Sequence, residues 1–208
     1  MYKGLEPNGG VCMRRFEYGR IQSLSWDMDM LSLIAGIYRA NGKEEVLLSQ
    51  SPAILDSLVG LAKVQSTEAS NAIEGIVTTS TRLRQLVADK TTPRNRDEQE
   101  IMGYRDALNV IHESYDSISL CRNHILQLHK ILYNYQFNAR GGQLKSVQNY
   151  ISATYPDGRT EVLFTSLAPY ETAEALDQIC AEYNRVVGNG EVEPLLAIPI
   201  FIHDFLLS

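Results

Sequence analysis

The sequence predicts a mainly α-helical protein that carries one β-hairpin. In most long segments apolar residues recur at three- and four-residue steps, which is the period of an amphipathic helix. Glycine, proline and small polar residues separate these segments at short intervals. One region alone changes to β-branched and aromatic residues on both sides of a turn. With 44% hydrophobic residues in 208, the chain can bury an ordinary globular core.

The first two helices are predicted in the N-terminal third of the chain. Possible caps at Ser23 and Ser25 precede the first helix, and Asn41-Gly42 predicts its end. Ser51-Pro52 combines a capping residue with proline at the first helical position, so a second helix begins there. Its apolar stripe predicts that it continues to Glu74.

Three shorter helical segments follow. A short helix is predicted between Thr78 and Lys90, and a polar break at Thr91 to Asn95 ends it. Two further helices are predicted from apolar stripes at helical spacing. The stripes are Ile101, Tyr104, Leu108, Ile111 and Tyr115, and then Ile125, Leu128, Leu132 and Tyr135.

The hairpin is predicted between residues 150 and 164. Tyr150 to Tyr155 and Thr160 to Phe164 flank Pro156-Asp157-Gly158-Arg159, which favours a tight turn. Without other information such a hairpin only joins two helices at the surface.

Two helices are predicted after the hairpin. The first is expected behind a Thr172 cap, and it ends in a C-cap turn at Gly188-Asn189-Gly190. The second is the strongly apolar Pro194 to Ser208.

Composition excludes several classes of function. The net charge of −6 and the absence of Lys/Arg runs argue against a nucleic-acid surface. The last apolar stretch is too short to span a bilayer and contains Pro199, His203 and Asp204, so no membrane association is expected. Three cysteines without CxxC spacing, four scattered histidines and no signal peptide predict a cytoplasmic protein without a metal site.

The segment STEASNAIEG, residues 66 to 75, is the most informative motif. It places the Ser70 hydroxyl and the Glu74 carboxylate four positions apart on one helix face, followed by Gly75 as a stop. The spacing by itself also occurs in solvated helices without a function. The segment resembles the inhibitory motif of Fic family proteins, in which Ser or Thr, three variable residues, Glu and then Gly or Asn close a regulatory helix.

Three later segments resemble Fic elements in the family's order. Leu128 to Leu132 is similar to the central LHxxL helix, and Gly142 to Ile151 to the entry of the substrate-binding flap. Pro194 to Ser208 is similar to the helix before the active-site loop. The resemblance implies a Fic-like helical bundle, with residues 1–90 as an N-terminal region carrying the inhibitory helix and residues 91–208 as an incomplete core with the flap.

The family signature HxFxxGNGRxxR does not occur in this sequence. Gly188-Asn189-Gly190 does not replace it, because Glu191 follows it and the upstream His and Phe are absent. The expectation is a chain truncated before the signature, without the C-terminal part of the core, without a catalytic residue and inactive alone.

The resemblance implies that the complete protein transfers AMP from ATP, with Mg²⁺, to a Ser, Thr or Tyr hydroxyl of a target protein. Glu74 would then pair with the second arginine of the signature, Ser70 would hold the helix in register, and Gly75 would turn the chain away. The flap implies target docking at Asn149, Tyr150, Ile151 and Ser152. Lys145, near the flap entry, is a weaker candidate for nucleotide binding, and a solvated lysine is an equal alternative.

Two other interpretations remain open at this point. In one, the chain is an antitoxin-like module that inhibits a Fic enzyme in trans. In the other, it is a helical scaffold without activity. No cofactor is expected bound to this chain. An uncovered apolar stretch before Ser208 predicts a homo-oligomer.

Overall fold

The computed structural model describes residues 16–50, 52–76, 78–137 and 140–208, with the side chains of residues 47–56 outside the description. It is mainly helical with one two-stranded antiparallel sheet, which confirms the predicted fold class. The chain divides into two compact units. We call residues 25–144 the helical unit, and residues 16–24 with 145–208 the hairpin unit. The predicted division after residue 90 lies inside the helical unit, where the flanking helices pack together.

The helical unit contains five α-helices. They are α1 (Met28–Gln50), α2 (Pro52–Ile73), α3 (Ser80–Val87), α4 (Arg96–Ser114) and α5 (Arg122–Leu132). Leu83 and Leu86 of α3 pack with Ile101 and Met102 of α4 in a buried cluster, so the amphipathic stripes form the predicted core.

A buried ion pair joins α3 to the start of α4. Arg82 donates from Nε and Nη2 to the two carboxylate oxygens of Glu98, both at 2.8 Å. The backbone amide of Arg94 donates to the same carboxylate at 2.7 Å. The hydrogen bonds from Arg82 lower the pKa of Glu98 to about 2. This bidentate pair fixes α3 against α4.

Two predicted helix boundaries are wrong. The first helix is capped by Asp27, whose Oδ1 accepts from the Met30 amide at 2.7 Å, and Ser23 instead ends a short 3₁₀-helix. Neither Ser23 nor Ser25 is therefore the cap, because the aspartate stands one residue before the helix. Asn41-Gly42 lies within α1, since these residues weaken a helix by only about 1 kcal/mol and do not stop it.

The hairpin unit contains a 3₁₀-helix (Tyr18–Ser23), strands β1 (Tyr150–Thr154) and β2 (Thr160–Thr165), and helices α6 (Pro169–Gly188) and α7 (Pro194–Leu207). Its buried core includes Tyr18, Ile179 and Val186. The 3₁₀-helix contacts both α6 and α7.

The predicted Thr172 cap of α6 is also wrong. The helix begins at Pro169, and the Ala168 amide donates to Glu171 Oε2 at 3.1 Å. Proline at the first position together with this glutamate starts the helix four residues earlier than a Thr172 cap would, and Thr172 lies in its first turn. Its predicted end is confirmed, because Gly190 has a φ of +66° and the Glu191 amide donates to the Val186 carbonyl.

The hairpin has the predicted turn. Gly158 has a φ of +82°, and the amide of Tyr155 donates to the Arg159 carbonyl at 2.9 Å. A β-bulge lies between the pairs Ile151 with Phe164 and Ser152 with Val162. Leu163 is therefore the extra residue of β2.

Candidate regulatory site

The C-terminal end of α2 carries the predicted inhibitory motif. The helix ends at Ile73, one residue before the predicted Glu74. The carbonyl of Asn71 accepts from the amides of Glu74 at 3.1 Å and Ile76 at 2.9 Å. Gly75 follows with a φ of +76°, a conformation that glycine adopts without strain. This turn fixes the backbone from which the Glu74 side chain projects.

The side chain of Glu74 is exposed, and it has no hydrogen-bond or ion-pair partner among the residues that the structure describes. An unpaired carboxylate at a rigid turn can accept a guanidinium without first breaking another contact.

Ser70 lies one turn before Glu74 and contacts α4. Its Oγ is 2.9 Å from the hydroxyl of Tyr104, and Ser66 Oγ is 3.3 Å from the same atom. Behind these contacts, the buried Asn71 and Thr67 side chains bond to carbonyls of α2 itself, at 2.8 and 2.7 Å. Small polar side chains therefore line this face of α2.

A groove of about 720 Å³ opens at this place. Its lining comes from the end of α2, from α4 and from the residues that close α5. The lining residues are Ser70, Asn71, Glu74, Ile76, Arg96, Asp97, Glu100, Tyr104, Leu132, Tyr133 and Gln136. The lining includes three carboxylates but only one arginine, Arg96, which pairs with Glu100 at 2.9 Å. The groove thus has a negative balance that suits a cationic side chain.

The flap candidates lie at the start of β1. Tyr150 and Ile151 are 63% and 61% exposed, and Ser152 is also exposed. The carbonyl of Asn149 accepts from the Ser166 amide at 3.2 Å and so closes the base of the hairpin. Within the described residues the sheet has two strands only, so each strand has one open edge.

Lys145 is held inside the hairpin unit. Its Nζ donates to Ser166 Oγ at 2.7 Å and to the carbonyl of Ser208. Burial lowers the pKa of Lys145, with a smaller opposing effect of Glu171. These contacts give the ammonium a structural role, and its predicted part in nucleotide binding stays a prediction.

Two solved structures are similar to this chain. One is a Fic domain containing signaling protein from Bacteroides thetaiotaomicron, with a TM-score of 0.65 and 20% identity over 79% of this chain. The other is a Fic family protein from Desulfovibrio desulfuricans, with a TM-score of 0.65 and 16% identity over 88% of this chain. The chain has a Fic-like fold. It spans 62% and 52% of the lengths of these two proteins, and no protein-family model and no curated protein matches it.

Within this Fic-like fold, the helical unit brings Ser70, Glu74 and Gly75 together at one end of α2. The hairpin unit separately places Tyr150, Ile151 and Ser152 at the start of β1, with Asn149 directly before the strand. Sequence reasoning missed Tyr104, which was assigned only to an apolar stripe. The sequence carried no signal for this contact, because small polar residues on a helix also bond to water and to carbonyls of their own helix.

Two further findings concern the described part of the chain. It contains no group of three or more His, Cys, Asp or Glu residues placed to hold a metal ion. None of its helices combines the length and the apolar character that a bilayer crossing requires.

Proposed function

We propose that this chain is the regulatory and target-docking portion of a Fic protein adenylyltransferase, and that it is inactive alone. The observation that carries the proposal is the exposed Glu74 carboxylate, which has no partner among the described residues and stands on a hydrogen-bonded turn of a Fic-like fold. The complete protein would transfer AMP from ATP to a hydroxyl side chain of another protein.

AMP transfer requires a base that takes the hydroxyl proton and donors that stabilise charge on the phosphate oxygens. In the Fic family both come from the HxFxxGNGRxxR loop, which this sequence lacks. ATP and Mg²⁺ would therefore be bound by a segment with that signature. The residues of this chain would control and orient the reaction.

Control would depend on Glu74. A carboxylate and a guanidinium form a bidentate, charge-assisted pair, so Glu74 competes with the ATP γ-phosphate for the second arginine of the signature. The negative balance of the groove around Glu74 supports this role, because it favours the approach of a cation.

Target docking would depend on the open edge of the hairpin. An extended peptide can add to a free strand through main-chain hydrogen bonds, and this places one side-chain hydroxyl at a fixed distance. The exposed Tyr150, Ile151 and Ser152 would contact its side chains, next to Asn149 at the base.

The first test uses the chain as it is. Incubation with labelled ATP and Mg²⁺, with and without a target lysate, should give no AMP adduct. Clear self-modification or target modification by the purified chain contradicts the proposal that it is inactive alone.

The second test supplies the missing signature. In a hybrid, the HxFxxGNGRxxR segment of a Fic enzyme is joined after Ser208, and AMP transfer is measured. Glu74→Gln should raise transfer at least tenfold, because loss of one charge-assisted pair of about 1.5–3 kcal/mol frees the arginine. Glu68→Gln, an exposed carboxylate on the same helix, is the matched control and should change little. Equal rates for both variants overturn the role of Glu74.

The same unpaired carboxylate also suits inhibition of a separate Fic enzyme. Saturating chain added to an intact Fic enzyme separates this antitoxin-like function from the first one. A loss of activity that depends on Glu74 favours inhibition in trans, and unchanged activity removes it.

We also propose self-association through α7. Its Ile198, Ile202, Phe205 and Leu206 side chains are exposed within the described chain, and such apolar surface favours association. Light scattering that shows a monomer at high concentration contradicts this.

A further inference from the structure

Tyr104 is the point at which α4 holds the end of α2. Its hydroxyl lies 2.9 Å from Ser70 Oγ and 3.3 Å from Ser66 Oγ, which are separated by about one helical turn. One phenolic group therefore contacts two successive turns of α2. Lys63, one turn earlier, adds a hydrogen bond from Nζ to Asn109 Oδ1 at 2.9 Å.

These contacts between α2 and α4 are polar. Each neutral hydroxyl pair stabilises by only about 1 kcal/mol, and here Ser66 is exposed and Ser70 half-buried. The apolar packing of α2 and of the turn after it comes from Val64 and Ile76, which lie against the buried cluster of Leu83, Leu86, Ile101 and Met102. The Tyr104 hydroxyl contacts can therefore open while that packed cluster stays closed.

The Tyr104 contact precedes the turn that carries Glu74. Ser70 is adjacent to Asn71, whose carbonyl accepts from the amides of Glu74 and Ile76. If the Ser70 hydroxyl loses its partner, the last turn of α2 loses its hydrogen bond to α4, while the Gly75 turn keeps its local hydrogen bonds and Ile76 stays packed on the buried cluster. The position of Glu74 relative to α4 then becomes variable.

We propose that Tyr104 is a positioning residue that sets the strength of inhibition by Glu74, through its hydroxyl contacts with Ser70 and Ser66. This inference rests on the proposed inhibitory role of Glu74. The hydroxyl contacts of Tyr104 with Ser70 and Ser66, which we call the latch, would then regulate the enzyme by holding α2 on α4. In this proposal Tyr104 acts only through Glu74 and has no role in binding nucleotide or target.

The first test measures amide hydrogen exchange in the full chain. Tyr104→Phe removes only the hydroxyl and should raise exchange of residues 66–76 about fivefold, the factor expected for one neutral hydrogen bond. Tyr115→Phe is the matched control, because Tyr115 is exposed just beyond α4 and outside the groove. Ser70→Ala should resemble Tyr104→Phe, whereas Ser70→Thr keeps a hydroxyl and should not. Unchanged exchange in Tyr104→Phe overturns the inference.

The second test asks whether the latch acts through Glu74. In the hybrid described above, Tyr104→Phe should raise AMP transfer about fivefold. In the Glu74→Gln background it should have no further effect. A merely structural residue changes the rate equally in both backgrounds, and that result overturns the inference.

The two tests separate the two proposals. If Glu74→Gln activates but Tyr104→Phe does not, the latch is wrong and the proposed function stands. If Glu74→Gln does not activate, the inhibitory role fails, and the regulatory inference fails with it, whatever the exchange data show.

Discussion

Gly103 lies where the backbone of α4 approaches the end of α5, and its replacement by alanine gives a sharp test of the fold around the groove. A Cβ added at Gly103 would lie 1.9 Å from the carbonyl oxygen of Leu132 and 2.7 Å from its carbonyl carbon. Ordinary contacts begin near 3.4 Å, so the two helices must separate by about 1.5 Å. The obstacle is backbone, which cannot move by a rotamer change.

The cost can be estimated from two opposing effects. Overpacking of this kind costs about 3 kcal/mol, the upper end of its usual range, because the backbone of α5 must shift. Alanine recovers about 1 kcal/mol through its better helix propensity. We therefore expect Gly103→Ala to lower the free energy of unfolding by about 2 kcal/mol.

Urea unfolding followed by circular dichroism measures this change, with the m-value as a check that the two-state treatment holds. Gly60→Ala is the control, because Gly60 lies within α2 and an added Cβ has no atom within 4 Å. That variant should gain about 0.5–1 kcal/mol. If Gly103→Ala is as stable as Gly60→Ala, the close approach of α4 and α5 is refuted.

Three further predictions concern charged side chains. Arg82→Met should cost about 3 kcal/mol in urea unfolding, because Glu98 is left buried without its partner, whereas Arg96→Met, from an exposed pair, should cost below about 0.5 kcal/mol. The pKa of Glu98 is about 2 in the folded chain against an ordinary 4.5, so its stabilisation is complete above about pH 5 and is lost as pH falls from 4.5 towards 2. The stability gap between wild type and Glu98→Gln should narrow over that range, and a constant gap contradicts the assignment. Lys145→Met should lower the free energy of unfolding by about 1 kcal/mol, because Ser166 Oγ loses the hydrogen bond that Lys145 donates. An unchanged urea midpoint would show that Lys145 is an ordinary solvated lysine.

Sequence periodicity was sufficient for the helices and the hairpin because these elements depend on local spacing. The predicted polar break from Thr91 to Asn95 also holds, since Asn95 Oδ1 accepts from the Glu98 amide and caps α4. The errors arose where two local signals competed. Asn41-Gly42 weakens α1 without ending it, and Pro169 with Glu171 starts α6 before Thr172.

The candidate site was predictable only in part, for a different reason. Ser70, Glu74 and Gly75 belong to one short motif, and the structure places them on one helix end. Tyr104 is more than thirty residues away, and its apolar neighbours conceal its polar contact. Spacing along a chain cannot indicate which hydroxyl on another helix faces Ser70, because that depends on how the helices pack.

The hairpin has a practical consequence for handling the protein. Apart from the half-buried Ala153 and Phe164, every side chain of its two strands is exposed, including Val162 and Leu163. A β-branched ribbon with exposed apolar side chains and open edges is a template for cross-β aggregation between molecules. Concentrated preparations should therefore precipitate through strand pairing, and Val162→Lys should slow this precipitation, because a charge on the exposed face opposes pairing between molecules.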